Sequence, residues 1–238
     1  MKNSTGNKKI LLSLTTTEGS NWREKIEEIK LYNLTEISLF LTNLAVEDRQ
    51  ELYKRLEETP LRSVPHVHLR GDMTLAEVDY LVERYDVKVF NIHSATSQYP
   101  LVDNFSKYAK RIYVENSIVV PTADELAFYG GFCLDVSHWE DYIFQCGSDY
   151  DVKKDVIMKI LEKFPVGCAH ISAVNHPKED PHLPGNVICS DHWLKDLSEV
   201  NYIKKYLQYL PDIISIELEN SFKEQLEVKK YLEGIINV

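Results

Sequence analysis

The sequence predicts an α/β protein, a (β/α)8 TIM barrel, on three observations. Eight short apolar runs, rich in Val and Ile, alternate with segments of helical periodicity. Runs that stay hydrophobic throughout are what parallel strands covered on both faces require. The chain has 238 residues, close to the smallest size at which eight such units close into a barrel. The first turn, LTTTEGSNW at 14–22, holds one glycine and no GxGxxG. An open doubly wound sheet usually carries a glycine-rich phosphate turn there, so its absence favours the barrel.

The strands are expected, in order, at 9–14 (KILLSL), 36–41 (EISLFL), 63–69 (SVPHVHL), 87–93 (VKVFNIH), 111–116 (RIYVEN), 131–136 (GFCLDV), 166–172 (VGCAHIS) and 212–219 (DIISIELE). Between them, 21–33 places Trp22, Ile26, Ile29 and Leu31–Tyr32 near one face, as an amphipathic helix does. The segments 46–58, 74–85, 149–164 and 221–235 show the same period. The connections between the fourth and sixth strands are shorter, so brief helices are expected there. No linker or low-complexity tract divides the chain, and a single domain over 1–238 is expected.

The net charge of −10 disfavours nonspecific attraction to nucleic acid or anionic membrane. The four cysteines include no CxxC pair, and Cys133 and Cys168 lie inside apolar runs. Reduced, mostly buried thiols are expected. The N-terminal apolar run is too short for a signal-peptide core, and no long apolar span occurs. A cytoplasmic location is the expectation.

In such a barrel the catalytic groups come from the C-terminal ends of the strands. The third strand carries His66 and His68, the fourth ends in His93, and the fifth in Glu115-Asn116. The sixth delivers Asp135 with His138, the seventh His170, and the eighth Glu217 and Glu219; the loop after the seventh holds Asp180-Pro181-His182. Histidines that merely fill core or surface would be scattered, whereas six of the eight sit at or just beyond these ends. Ionisable groups converging in a barrel mouth are costly to desolvate without a partner. Imidazole with carboxylate suits zinc, manganese, iron or cobalt. His66 and His68 share one strand parity, as do Glu217 and Glu219; Pro65 ahead of His66 and the apolar run ahead of Glu217 favour His66 and Glu217. Of the rest, His176 is expected in a loop and Asp191-His192 at a helix N-terminus. Glu140 and Asp141 are expected in the first turn of a helix, where negative charge is favourable.

This ordered set resembles the xylose isomerase-like TIM barrels, the superfamily of sugar isomerases and epimerases and of endonuclease IV-type enzymes. YVENS at 113–117 and LDVSH at 134–138 are its most specific pieces, supported by HISAVN at 170–175 and DPHLPG at 180–185. The resemblance spans about residues 9 to 235. For the isomerases and epimerases it implies one divalent ion held by Glu115, Asp135, His170 and Glu217, with His138 on the substrate. Glu115 and Glu217 then exchange a proton beside a substrate carbonyl. For the endonuclease-like members it implies up to three zinc ions, with His66, His93, His138, Asp180 and His182 as further ligands.

The ligand inventory leans toward the hydrolytic, multi-metal type, since every further position has an occupant; on the isomerase side, the first turn lacks a histidine, and near the strand ends only Arg70 and Lys178 offer positive charge for phosphate. The expectation is therefore an isomerase or epimerase of a small sugar-like or sugar-phosphate-like substrate, using one to three divalent ions (Zn, Mn, Co or Fe). Catalytic roles fall to Glu115, Glu217 and His138. Nucleic acid and membrane are not expected partners, and self-association stays open. The alternatives are a multinuclear zinc phosphoesterase and a metal-binding barrel without catalysis.

Overall fold

The computed structural model describes residues 8–17, 19–95, 100–117, 119–145, 149–180 and 185–237. Its main sheet is parallel and runs in the order β1-β11-β8-β7-β6-β5-β4-β3-β2. The strands are β1 (Lys9–Leu11), β2 (Ser13–Thr15), β3 (Ser38–Phe40), β4 (His66–His68), β5 (Val89–His93) and β6 (Ile112–Glu115). They continue with β7 (Gly131–Asp135), β8 (Val166–Ile171) and β11 (Ile213–Ile216). β1 and β2 are two halves of one strand interrupted at Leu12. The first half pairs with β11 and the second with β3, so this one segment closes the sheet into a barrel. All eight expected strands are present, and the TIM-barrel fold is the observed one.

The helices lie outside. They are α1 (Trp22–Leu31), α2 (Val46–Leu56), α3 (Leu75–Tyr85), α4 (Ala123–Phe128), α5 (Val136–Gln145), α6 (Tyr150–Lys163) and α7 (Phe222–Ile236). Three of them start on a capping box: Thr74 with Glu77, Thr122 with Glu125, and Ser221 with Glu224. The short connections contain α4 and a 3-10 helix, Ser106–Arg111, as their length requires. The main apolar core fills the space between sheet and helices, with Leu14, Leu39, Val67 and Ile92 from the strands meeting Ile26, Ile29, Leu52 and Leu81 from the helices.

The barrel interior is mixed by contrast, with polar groups packed around the Phe40 ring. His66 Nδ1 bonds Ser215 Oγ at 2.7 Å, although β4 and β11 are not sheet neighbours, so this contact crosses the interior. Ser13, Ser38, Asn91 and Ser215 are all fully buried there. The thiols of Cys133, Cys168 and Cys189 are free and buried, while Cys146 lies outside the described residues.

Gly131 opens β7 with a φ of +130°, and a Cβ there would collide with the Pro165 carbonyl. Gly131→Ala is therefore expected to destabilise the fold by at least about 1–3 kcal/mol. The midpoint of urea unfolding, at unchanged m-value, checks this.

Two segments depart from the sequence-based expectation. The stretch after β8 is an antiparallel hairpin of β9 (Ala173–Glu179) and β10 (Val187–Asp191), with His176 exposed on β9 instead of in a loop. Asp191 ends β10 and starts no helix: its carboxylate takes Trp193 N–H at 3.0 Å and Lys178 Nζ at 2.6 Å. The cap of the following 3-10 helix is Asp196. His192 instead donates to the Glu217 carbonyl at 3.2 Å. Among the described residues no helix is long and apolar enough to cross a membrane.

Candidate metal centre

Parallel register delivers the polar strand ends to one level. His93 is the Cα partner of Glu115, and Asp135 is the partner of His170. Glu217 follows β11 directly, its N–H bonded to the Ile171 carbonyl at 2.9 Å. The Asn116 side chain clamps the backbone of Asp135, donating to its carbonyl and accepting its N–H, both at 2.8 Å. The ends of β6 and β7 are thereby locked together.

Three carboxylates surround one imidazole nitrogen. His170 Nδ1 lies 3.3 Å from Glu217 Oε2, 3.7 Å from Glu115 Oε2 and 3.7 Å from Asp135 Oδ2. His170 Nδ1 and Asp135 Oδ2 are buried and make no hydrogen bond among the described residues. Burying a polar atom without a partner costs about 1–3 kcal/mol, and more when it is charged. Two such atoms in one oxygen-rich cluster fit a divalent cation. The other atoms of the same groups are occupied. Asp135 Oδ1 accepts Ser137 Oγ–H at 2.6 Å and His138 N–H at 2.9 Å, capping the start of α5. His170 Nε2 sits 3.4 Å from Cys133 Sγ.

A second set adjoins the first and shares Glu115. The ligand atoms of His68, His93 and Glu115 lie within 4.8 Å of one another. His68 Nδ1 donates to the Leu69 carbonyl at 3.0 Å, which turns Nε2 toward Glu115 Oε2, 3.1 Å away. A ring nitrogen held in this way is a metal-ligand posture. Glu115, Asp135 and His138 form a third overlapping group.

Two expected positions are placed elsewhere. His66 lies one full strand period below His68, fully buried, with Nδ1 on Ser215 and Nε2 on Asn91 Oδ1 at 2.9 Å. The structure brings His68 to the cluster in its stead, because equal parity leaves depth undetermined. Asp180 follows β9, where its carboxylate takes Asn186 Nδ2 at 3.0 Å across the hairpin, and among the described residues it joins none of the clusters. His182 lies outside the described residues. Glu217 is in the cluster, whereas Glu219 is turned away onto Lys25 Nζ at 3.0 Å and Thr17 N–H.

Asn91 and Asp141 also matter here, and only Asn91 left a signal in the sequence. Asn91 Nδ2 donates to Glu115 Oε2 at 2.6 Å; it has the parity of His93 in an otherwise apolar strand. Asp141 accepts from His138 Nδ1 at 3.0 Å and is fully buried; α5 begins at Val136, so Glu140 and Asp141 lie beyond the first turn where they were expected. Glu140 is buried too, paired with Lys205 and Tyr206.

Electrostatics agree with a cation-seeking centre. Burial opposes charge on His170, but Glu115, Asp135 and Glu217 hold its pKa well above the usual imidazole range. Burial likewise opposes charge on Glu115, yet His170, His68 and His93 keep it well below the carboxylate range. Glu217 is drawn down to about 2, chiefly by His170 against its burial. His93 is pushed down to about 4, first by desolvation, which keeps its ring neutral and able to ligate.

No protein-family model and no curated protein matches the chain. Among solved structures, it is similar to a xylose isomerase-like TIM barrel protein from Mycobacterium smegmatis in complex with magnesium. The TM-score is 0.50 at 12% sequence identity, with 98% of each chain covered. The chain shares the TIM-barrel fold of that protein, and groups of residues at its strand ends are able to hold a metal ion.

Proposed function

We propose that this chain is a divalent-metal-dependent isomerase or epimerase of a small sugar-like substrate. The observation that carries the metal is the pair of buried atoms that make no hydrogen bond among the described residues, His170 Nδ1 and Asp135 Oδ2, beside Glu115 and Glu217. The structural neighbour's magnesium is consistent with it. Glu115, Asp135, His170 and Glu217 would hold the ion, which would supply Lewis-acid polarisation of a substrate oxygen. Glu115 and Glu217 approach the centre from different strands. In this reading one removes a proton beside the carbonyl and the other returns it. His138, partly exposed at the mouth, holds a substrate hydroxyl or completes the ligand set.

The substrate class follows from charge. Arg70 is committed to the Thr42 carbonyl and Asp72, and Lys178 to Asp191. A mouth rich in carboxylates, with these cations engaged, favours a neutral polyol over a nucleic-acid backbone. A second reading, a phosphoesterase with more than one ion, draws on the adjoining His68–His93–Glu115 set. Metal analysis of the purified protein separates the two. One divalent ion per chain, with interconversion of free sugars, is the expected result. Two or three zinc ions, with phosphodiesterase turnover, would select the second reading. Absence of bound metal after dialysis against each candidate ion would remove both.

A further inference from the structure

We propose that Asp141 is the positioning residue of His138, and that its one carboxylate ties the β9–β10 hairpin to the metal centre. This rests on the metal-centre reading above. His138 stands in the first turn of α5, and Asp141 one turn further on, so their side chains share a face. Asp141 is fully buried, while His138 keeps about a quarter of its side chain exposed. The two oxygens of Asp141 have separate tasks. Oδ1 accepts the backbone N–H groups of Cys189 and Ser190, on β10, at 2.6 and 2.9 Å. Oδ2 accepts Ser190 Oγ–H at 2.7 Å and His138 Nδ1–H at 3.0 Å.

A carboxylate is acceptor-only, so a bond to Nδ1 places a proton there and leaves Nε2 as the outward nitrogen. Nε2 is the atom that faces Asp135 Oδ2, at 3.8 Å, the unpartnered oxygen of the centre. A cation or a substrate hydroxyl between them has both groups pre-aimed. Ligating histidines are held in this way by an outer carboxylate, whose loss typically weakens metal binding by about 10–100-fold. Here the outer carboxylate also carries the root of the hairpin. A displacement of β10 relative to α5 would strip Asp141 of the bonds that fix its carboxylate, the group that holds the His138 ring.

Asp141→Asn separates positioning from structural support. The amide oxygen can keep the Cys189 and Ser190 backbone bonds at the Oδ1 place. The amide NH2 at the Oδ2 place then donates to His138 Nδ1, which reverses the ring's tautomer. Zn2+ affinity, measured by competition with a chromophoric chelator, is expected to fall about 10–100-fold, with thermal stability of the metal-free protein little changed. Ser190→Ala, which keeps both backbone bonds, is expected to change Zn2+ affinity less than about threefold. Nitrogen-15 NMR of the His138 ring is the second readout. In the wild-type protein Nδ1 is expected to be protonated and hydrogen-bonded, and in Asp141→Asn unprotonated.

Wild-type Zn2+ affinity in Asp141→Asn, or an unprotonated Nδ1 in the wild-type protein, would overturn the proposal. The NMR readout on wild type needs no variant to fold. Should the wild-type protein bind no metal at all, the metal-centre reading fails by itself. Loss of the Nδ1 proton in Asp141→Asn, and its retention in Ser190→Ala, then still decide whether Asp141 orients His138.

Discussion

Glu115→Gln is expected to lower divalent-metal affinity by at least about 100-fold and to abolish turnover while leaving the barrel folded. Glu115 is the group that the candidate clusters share most: it belongs to the set with His68 and His93, the set with Cys133 and His170, and the set with Asp135 and His138. The substitution is nearly isosteric. The amide oxygen can still accept from Asn91 Nδ2, which now bonds Glu115 Oε2 at 2.6 Å. What is lost is the negative charge that faces His68 at 3.1 Å and His170 at 3.7 Å. An NH2 in place of a carboxylate oxygen also turns an acceptor into a donor aimed at imidazole and metal. A hundredfold loss corresponds to about 2.7 kcal/mol, ordinary for removing one charged ligand. Isothermal titration with Co2+ or Zn2+ measures it, and far-UV circular dichroism checks the fold. A Glu115→Gln protein that bound metal as the wild type does would remove Glu115 from the centre.

Much of the architecture was legible because it depends on local pattern. KILLSL and GFCLDV read as buried parallel strands from hydrophobicity alone, and both form barrel strands. Alternation also predicts which face of a strand a residue takes, which is why the strand ends pointed to a cluster. Alternation does not carry depth. His66 and His68 have one parity, and only closure of the barrel shows that His66 meets Ser215 across the interior while His68 reaches the mouth. The apolar run before Glu217 did carry depth information, because Glu217 follows β11 at once and is held by the Ile171 carbonyl, whereas Glu219 lies two residues further on, where Lys25 from α1 claims it.

The hairpin at 173–191 escaped for a different reason. AVNHPKE is polar and mostly exposed, so no buried face marks it as a strand. Asp141 was ambiguous in kind: a carboxylate in the first turns of a helix is satisfied by solvent and dipole unless something covers it. Here β10 does, and no local signal announces a cover from about fifty residues away.

Removing the divalent ion is expected to lower the melting temperature by roughly 5–10 °C, and the drop should grow with pH. A ligand at about 100 times its Kd stabilises by about 2.7 kcal/mol, and each kcal/mol shifts the melting point of a domain this size by about 2–4 °C. The pH dependence comes from the competition between proton and cation at His170. In the metal-free protein its folded-state pKa is raised: burial opposes the charge, but Glu115, Asp135 and Glu217 outweigh it. A raised pKa contributes stability that is complete below the unfolded value, about 6.5, and is lost as pH rises through the folded value. The proton thus substitutes for the metal at low pH and fails to do so at high pH. Glu217 acts in the opposite direction. Its pKa is depressed to about 2, so its contribution is present above the ordinary carboxylate value and is lost as pH falls toward 2. Metal binding must therefore release a proton from His170, and affinity should rise with pH by up to tenfold per unit while that proton is bound. Differential scanning fluorimetry with and without a chelator at pH 6.0 and 8.5 reads both effects, and calorimetry in buffers of different ionisation enthalpy counts the proton. A chelator-induced drop that is larger at pH 6.0 than at 8.5 would show that His170 is not the group the cation displaces. The candidate centre would then reduce to its three carboxylates.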